Sequence, residues 1–209
     1  MEGIIKAVME AIKGAGLVEV EVSARHIHLS EEDLEFLFGK GASLTPKREL
    51  SQIGQFLAEE RVNLIGPKGR KNRIAILGPV RKDTQVELSK SDCVDLGVKA
   101  PVRESGDVEG SGVISIEGPC GILDIKQGVI VAHRHIHVPK DVAKKLGLKD
   151  KDRRNVQIYS DRPVIFNDVI IRISDTARFR MHIDFDEANA AAVSGFTLGQ
   201  IVLQKQLSN

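Results

Sequence analysis

The chain has 209 residues, with 30 Lys and Arg against 29 Asp and Glu, so its net charge of +1 supplies no global basic field to recruit nucleic acid or an anionic membrane. Hydrophobic residues make up 42% and charged residues 28%, and no apolar run approaches the ~18 residues that span a bilayer. This is the balance of one large or two small globular domains. Cys93 and Cys120 are too few for a disulfide framework; each reads as a small buried hydrophobe in a reducing cytoplasm.

In chain order, residues 1–16 read as an amphipathic helix and linker. Ile4, Ile5, Val8 and Ile12 share one face, and Gly14-Ala15-Gly16 ends the helix. Acids interrupt it and no long apolar core follows, so it is not a signal peptide. It either packs on its own domain or docks on a partner or a compartment shell. Short Val- and Ile-rich strands follow, punctuated by Gly, Pro and Asp: LVEVEVSARHIHL, RVNLIGP, NRIAILGPV, TQVELS, GVISIEG, GVIVAHRHIHV, NVQIYS, PVIFNDVIIRIS and RFRMHIDFD. The best helices among them are EEDLEFLF, PKDVAKKLG and FDEANAAAV. Aromatics at 4% and the absence of Trp argue against stacking platforms for bases. Many strands with short helices indicate a mainly β chain of barrels or sandwiches rather than a doubly wound sheet.

The sequence also echoes itself. RHIHLSEEDLEFLFG resembles RHIHVPKDVAKKLGL, each Arg-His-Ile-His strand running into a helix that Ser30 or Pro139 can start. QVELSKSDC then resembles RMHIDFDEA, setting Glu87 against His182. Two echoes in the same order point to an internal duplication.

The six histidines fall in three short stretches. In a strand, residues i and i+2 project from one face, so His26 and His28 aim at one point while Ile27 enters the core. His135 and His137 do the same around Ile136. Two imidazoles are half of a tetrahedral zinc site, and the second echo offers a third donor to each: Glu87 and His182. Three protein donors with one open position suit a catalytic zinc, and the nitrogen-rich set suits zinc better than calcium or magnesium. His133 shares the strand face of His135 and His137 and reads as a supporting residue. Arg81, six residues before Glu87, offers a guanidinium fork matched to phosphate. Lys68, Arg70, Lys71 and Arg73 form either a solvated hairpin tip or a clamp on a polyanionic ligand such as a nucleotide-bearing cofactor. RESGDVEGSG, residues 103–112, is a turn that could cover a pocket. There is no nucleophile elbow, phosphate-binding loop or dinucleotide fingerprint, so chemistry falls to the metals and what they bind.

The segments VSARHIHLS, LSQIGQFLAEE, ILGPVRKDTQVELS, RESGDVEGSG, AHRHIHVP and RMHIDFDEANA, in this order, resemble the PduL-type phosphotransacylases (phosphate propanoyl- or acetyltransferases). The resemblance runs from about Val20 to Leu203. It implies a reversible transfer: a short-chain acyl-CoA and phosphate give acyl phosphate and CoA. It implies two zinc ions per chain, on His26, His28 and Glu87 and on His135, His137 and His182, with phosphate and its catalytic contact on Arg81. CoA contacts fall on Val22, Ser23, Ala24, Lys68 and Asn189. A further CoA-lining arginine of the family falls on Ala75, with Arg73 as its replacement. The implied fold is two β-barrels capped by short helices, one from residues 17–24 and 133–209, the other from 25–132 with a β lid at 57–70. A homodimer is implied as well. The alternatives are a di-zinc hydrolase of esters, thioesters or amides, and a metal-sequestering protein without turnover.

Overall fold

The computed structural model describes residues 2–202. Met1 and residues 203–209, assigned from sequence to the N-terminal helix and the first barrel, lie outside the described residues. The chain divides into two compact units: one holds residues up to Val22 and from Arg134 onward, the other Ser23–His133. The first unit opens with α1 (Glu2–Gly14) and β1 (Leu17–Val22). The second holds β2 (His26–His28), α2 (Glu31–Phe38), β3 (Pro46–Glu49), β4 (Phe56–Ile65), β5 (Arg70–Gly78), β6 (Gln85–Glu87), α3 (Lys90–Leu96), β7 (Val102–Arg103), β8 (Gly112–Glu117) and β9 (Ile122–Ala132). The first unit resumes with β10 (His135–Pro139), α4 (Lys140–Leu146), β11 (Arg153–Tyr159), β12 (Ile165–Ser174), β13 (Arg180–Ile183), α5 (Phe185–Ala190) and β14 (Leu198–Ile201). The protein is mainly β with short helices.

Strands of the first unit close a barrel in the order β1-β13-β10-β12-β11-β14. In the second unit the sheet runs β3-β4-β5-β2-β6-β9-β7, and β8 pairs with both β4 and β9. The path β4-β5-β2-β6-β9-β8 therefore returns on itself. The two circuits share a pairing pattern. In one, β10 is parallel to β12 and antiparallel to β13, which is parallel to β1. In the other, β2 is parallel to β5 and antiparallel to β6, which is parallel to β9. The strand leading into each His-x-His pair is thus a member of the other unit: β1 precedes β2, and β9 precedes β10.

Alternation explains which residues face inward. In β1, Val18 and Val20 are buried while Glu19 and Glu21 are only partly so. Ile136, Val138, Val156, Ile171 and Met181 fill the first unit, and Ile27, Leu29, Ile76, Val86 and Val129 the second. The helices are cut by their caps. Ser30 accepts from the Asp33 amide at the start of α2, and Pro139 precedes α4 without a side-chain cap. Gly97 and Gly147 end α3 and α4 in the left-handed conformation that glycine adopts without a Cβ penalty. No described helix is long and apolar enough to cross a membrane.

α3, β3 and Cys120 differ from the sequence expectation. α3 was not among the expected helices, because it is short and its capping box is completed by Asp92, where Glu or Gln is the usual signal. β3 is Pro- and charge-rich and exposed throughout, held as a strand only by its pairing with β4. Cys93 is buried, but Cys120 is exposed, since it lies in the tight Gly118–Gly121 turn between β8 and β9. Residues 57–70 form most of β4 and its turn into β5; Val62 and Leu64 are buried, and 63–65 pair with β8. On α1, Ile4, Ile5 and Val8 remain exposed, while Glu10 pairs with Lys145 of α4.

Ile136 is fully buried between the two outward histidines of β10. Ile136→Ala should cost about 2–5 kcal/mol in urea unfolding, whereas Val113→Ala, at an exposed position of β8, should stay within ~0.5 kcal/mol.

Candidate metal centres

Each cluster is made by one short antiparallel ladder. In the second unit the ladder pairs His26 with Glu87, Ile27 with Val86 and His28 with Gln85. In the first it pairs His135 with His182, Ile136 with Met181 and His137 with Arg180. A directly opposed residue on the neighbouring strand is the closest cross-strand neighbour, so the third donor lands beside the His-x-His pair. The donor atoms of His26, His28 and Glu87 lie within 4.8 Å of one another, and so do those of His135, His137 and His182.

The distances fit a metal. Two bonds of about 2.0–2.1 Å at a tetrahedral angle put their donors roughly 3.3–3.4 Å apart. Here His26 Nε2 and Glu87 Oε2 are 3.4 Å apart, and His135 Nε2 and His137 Nε2 are 3.1 Å apart. Orientation fits as well. His26 Nδ1 lies 2.8 Å from the Ala24 carbonyl and His28 Nδ1 lies 3.2 Å from the Leu77 carbonyl. A carbonyl only accepts, so each Nδ1 carries the proton and each Nε2 keeps its lone pair for the pocket.

The electrostatics agree. Burial, followed by the His26 and Arg81 charges, pushes His28 down to about 3, and burial with the His135 and Arg172 charges does the same to His137. Both are therefore neutral ligands at pH 7. Burial pushes Glu87 up, but His26 and His28 outweigh it and hold the carboxyl below its usual range. Burial pushes His26 down, and the Glu87 carboxylate more than reverses that. Glu87 is a buried negative charge that a cation in this pocket would neutralise.

Three residues that the sequence reading passed over support the second-unit cluster. Gln85, 1% exposed, donates to Glu87 Oε1 at 2.6 Å and to Ser105 Oγ at 2.9 Å, and its carbonyl accepts from the Gly106 amide at 2.7 Å. Arg81 donates to the same Ser105 Oγ at 3.0 Å. The 103–112 turn is therefore tied at Ser105 and Gly106 to Gln85, and through it to Glu87, and at Ser105 to Arg81. A period-2 signal existed, since Gln85 shares a strand face with Glu87; nothing in the sequence paired Ser105 with either. In the first unit, Glu21 lies opposite His182 on β1, with its buried Oε2 at 3.7 Å from His182 Nε2 and without a hydrogen bond among the described residues.

The remaining sequence candidates are spread over both units. Val22 ends β1 and Asn189 is exposed on α5; Ser23 and Ala24 precede β2, and Lys68 is exposed in the β4–β5 turn. Ala75 sits opposite Arg61 in the β4–β5 register, whereas Arg73 has a left-handed backbone (φ 56°) that breaks the alternation on which its match to Ala75 relies. His133 lies before β10 in the second unit, its amide bonded to the Arg103 carbonyl, and it joins neither cluster.

The family model for phosphate propanoyltransferase matches residues 19–194. The chain belongs to the phosphate propanoyltransferase family. Curated phosphate propanoyltransferases similar to it include those of Thermotoga maritima (51% identical, covering 96% of this chain and 98% of the relative) and Leptotrichia buccalis (48%, covering 96% and 97%). A third, from Clostridioides difficile, is 45% identical over 95% of each. Membership makes this chain an enzyme, an acyltransferase.

Truncating Gln85 takes a partner from the buried Glu87 Oε1, from Ser105, which keeps Arg81, and from the exposed Gly106 amide. Gln85→Ala should cost about 1–3 kcal/mol for the buried Glu87 oxygen it leaves short of a partner, and thermal unfolding of the metal-free protein reads this loss.

Proposed function

We propose that the protein is a zinc-dependent phosphate acyltransferase interconverting a short-chain acyl-CoA (propanoyl or acetyl) plus phosphate with acyl phosphate plus CoA. The observation that carries this reading is Arg81, a guanidinium held by Ser105 close enough to His26 and His28 for its charge to oppose protonation of each, though Glu87 outweighs it at His26. Hydrolysis needs only water as its second reactant, whereas transfer to phosphate requires a site for that anion beside the reacting carbonyl.

In this reading His26, His28 and Glu87 hold one zinc and His135, His137 and His182 the other. When bound, the ions supply positive charge for phosphate, for the developing oxyanion and for a leaving thiolate. Arg81 binds phosphate through its fork and presents one oxygen to the thioester carbonyl carbon. The C–O bond forms, the C–S bond breaks, and CoA leaves as the thiolate. Ser105 and Gln85 hold Arg81 and Glu87 in fixed relation, so the anion site needs little reorganisation as charge develops. Val22, Ser23, Ala24, Lys68 and Asn189 contact CoA, with Arg61, opposite Ala75, as the additional guanidinium in place of Arg73.

The matching strand pairings support a duplicated unit. The family resemblance extends the proposal to a cytoplasmic homodimer. The exposed apolar face of α1 supports docking to a microcompartment shell or core partner.

The test is propanoyl-CoA turnover with and without phosphate, following thiol release and acyl phosphate together. Thiol release should require phosphate and match acyl phosphate mole for mole; phosphate-independent release would favour the hydrolase. Arg81→Ala should raise KM for phosphate about tenfold or more, as expected for losing a charged hydrogen bond of about 1.5–3 kcal/mol. Glu87→Gln and His182→Ala should each remove one zinc per chain.

A further inference from the structure

Both donor ladders end at the pair that matters most. His26 opposite Glu87 and His135 opposite His182 are the terminal pairs of three-pair ladders, and the ends of short elements fray first. Just beyond each terminal pair stands the arginine that opens the motif. Arg25 Nε donates to Asp92 Oδ1 at 2.8 Å, and the other oxygen, Oδ2, accepts the Ser89 amide at 3.3 Å. Arg134 donates to Glu187 Oε1 at 2.6 Å, and the other oxygen, Oε2, accepts the Asp184 amide at 3.1 Å. Ser89 and Asp184 are the N-caps of α3 and α5, each two residues past the third donor. Both units thus repeat one chain of contacts: arginine before the first histidine, one carboxylate, then the main chain just after the third ligand. Further contacts fix the ends of each chain. Asp92 is 2% exposed and also meets Lys71 at 3.4 Å, while Arg134 Nε donates to the Asn167 carbonyl at 2.8 Å and its guanidinium lies over the Phe166 ring.

We propose that Arg25 and Arg134 are positioning residues, each a clamp that locks the third donor of its own metal centre against the His-x-His strand. The proposal rests on the two-centre metal reading given above. Neither arginine is itself a donor. Each closes the frayed end of its ladder with a charge-assisted bond that is always ionised, and each acts on one centre alone. Removal of such an outer partner typically lowers metal affinity about 10–100-fold. A purely structural role would instead lower stability while leaving both centres equally occupied.

The experiment measures zinc per chain in the full-length protein after a fixed challenge with a chelator, on wild type and on variants that remain folded by circular dichroism. Wild type should keep two zinc ions, Arg134→Met one, and Arg134→Lys an intermediate amount. The site losing zinc is identified by combination. Arg134→Met on the Glu87→Gln background should keep none, while on the His182→Ala background it should lose nothing further. Where the single variant fails to fold because it leaves a carboxylate unpaired, the neutral pairs Arg134→Met/Glu187→Gln and Arg25→Met/Asp92→Asn replace it, each emptying its own centre. Two zinc ions retained in Arg134→Met with wild-type resistance to the chelator would overturn the clamp. So would loss from the His26–His28–Glu87 centre instead. A wild-type protein that loads no zinc at all would overturn the metal reading along with it.

Discussion

Everything in this molecule that resembles an active centre depends on the pleat of a strand three to five residues long. Ile27 and Ile136 are fully buried, and each anchors its strand to the interior of a β circuit. Because the side-chain period of a strand is two, burying the isoleucine forces both flanking histidines to the other face. A slip of one residue would reverse the arrangement, placing two imidazoles in an apolar interior and an isoleucine outside. The hydrophobic core is therefore what sets the ligand geometry. The donors are aimed by packing before any cation is present, which spares a metal the cost of organising them.

Legibility from sequence followed the range of the interaction. The His-x-His pairs were readable because their geometry is local, and the third member of each cluster was readable because the second echo sets Glu87 against His182. The registers show why the three come together: each third member is the cross-strand neighbour of the first histidine of its pair. What stayed hidden was long-range or weakly encoded. Ser105 sits in a turn whose composition says only that the chain reverses there, and its link to Gln85 and Arg81 appears only once strands separated in sequence are paired. α3 and β3 were missed because neither carries its own signal: one is about two turns of capped helix followed by a glycine, the other a charged edge held by β4. Arg25 and Arg134 were in view throughout, inside the quoted motif, but nothing in one dimension shows that each reaches a carboxylate 67 or 53 residues away.

The two clusters are alike in register and different in charge. In the second unit the carboxylate is itself a donor, and the residue opposite it on β9 is Ile130. In the first unit the donor is His182, and the residue in the same position on β1 is Glu21. Each cluster thus has one carboxylate on the same pair of strands, but on opposite members of the pair. The electrostatic consequence differs. Two imidazoles and a carboxylate cancel part of a divalent charge by direct contact, whereas three imidazoles leave it whole and set the compensating carboxylate farther out. A cation at the three-histidine cluster therefore keeps more field for an anionic or polarisable guest, and one at the mixed cluster is held more tightly by charge. Histidine against glutamate at one register position, and glutamate against isoleucine at its neighbour, give two clusters of the same shape and unequal charge.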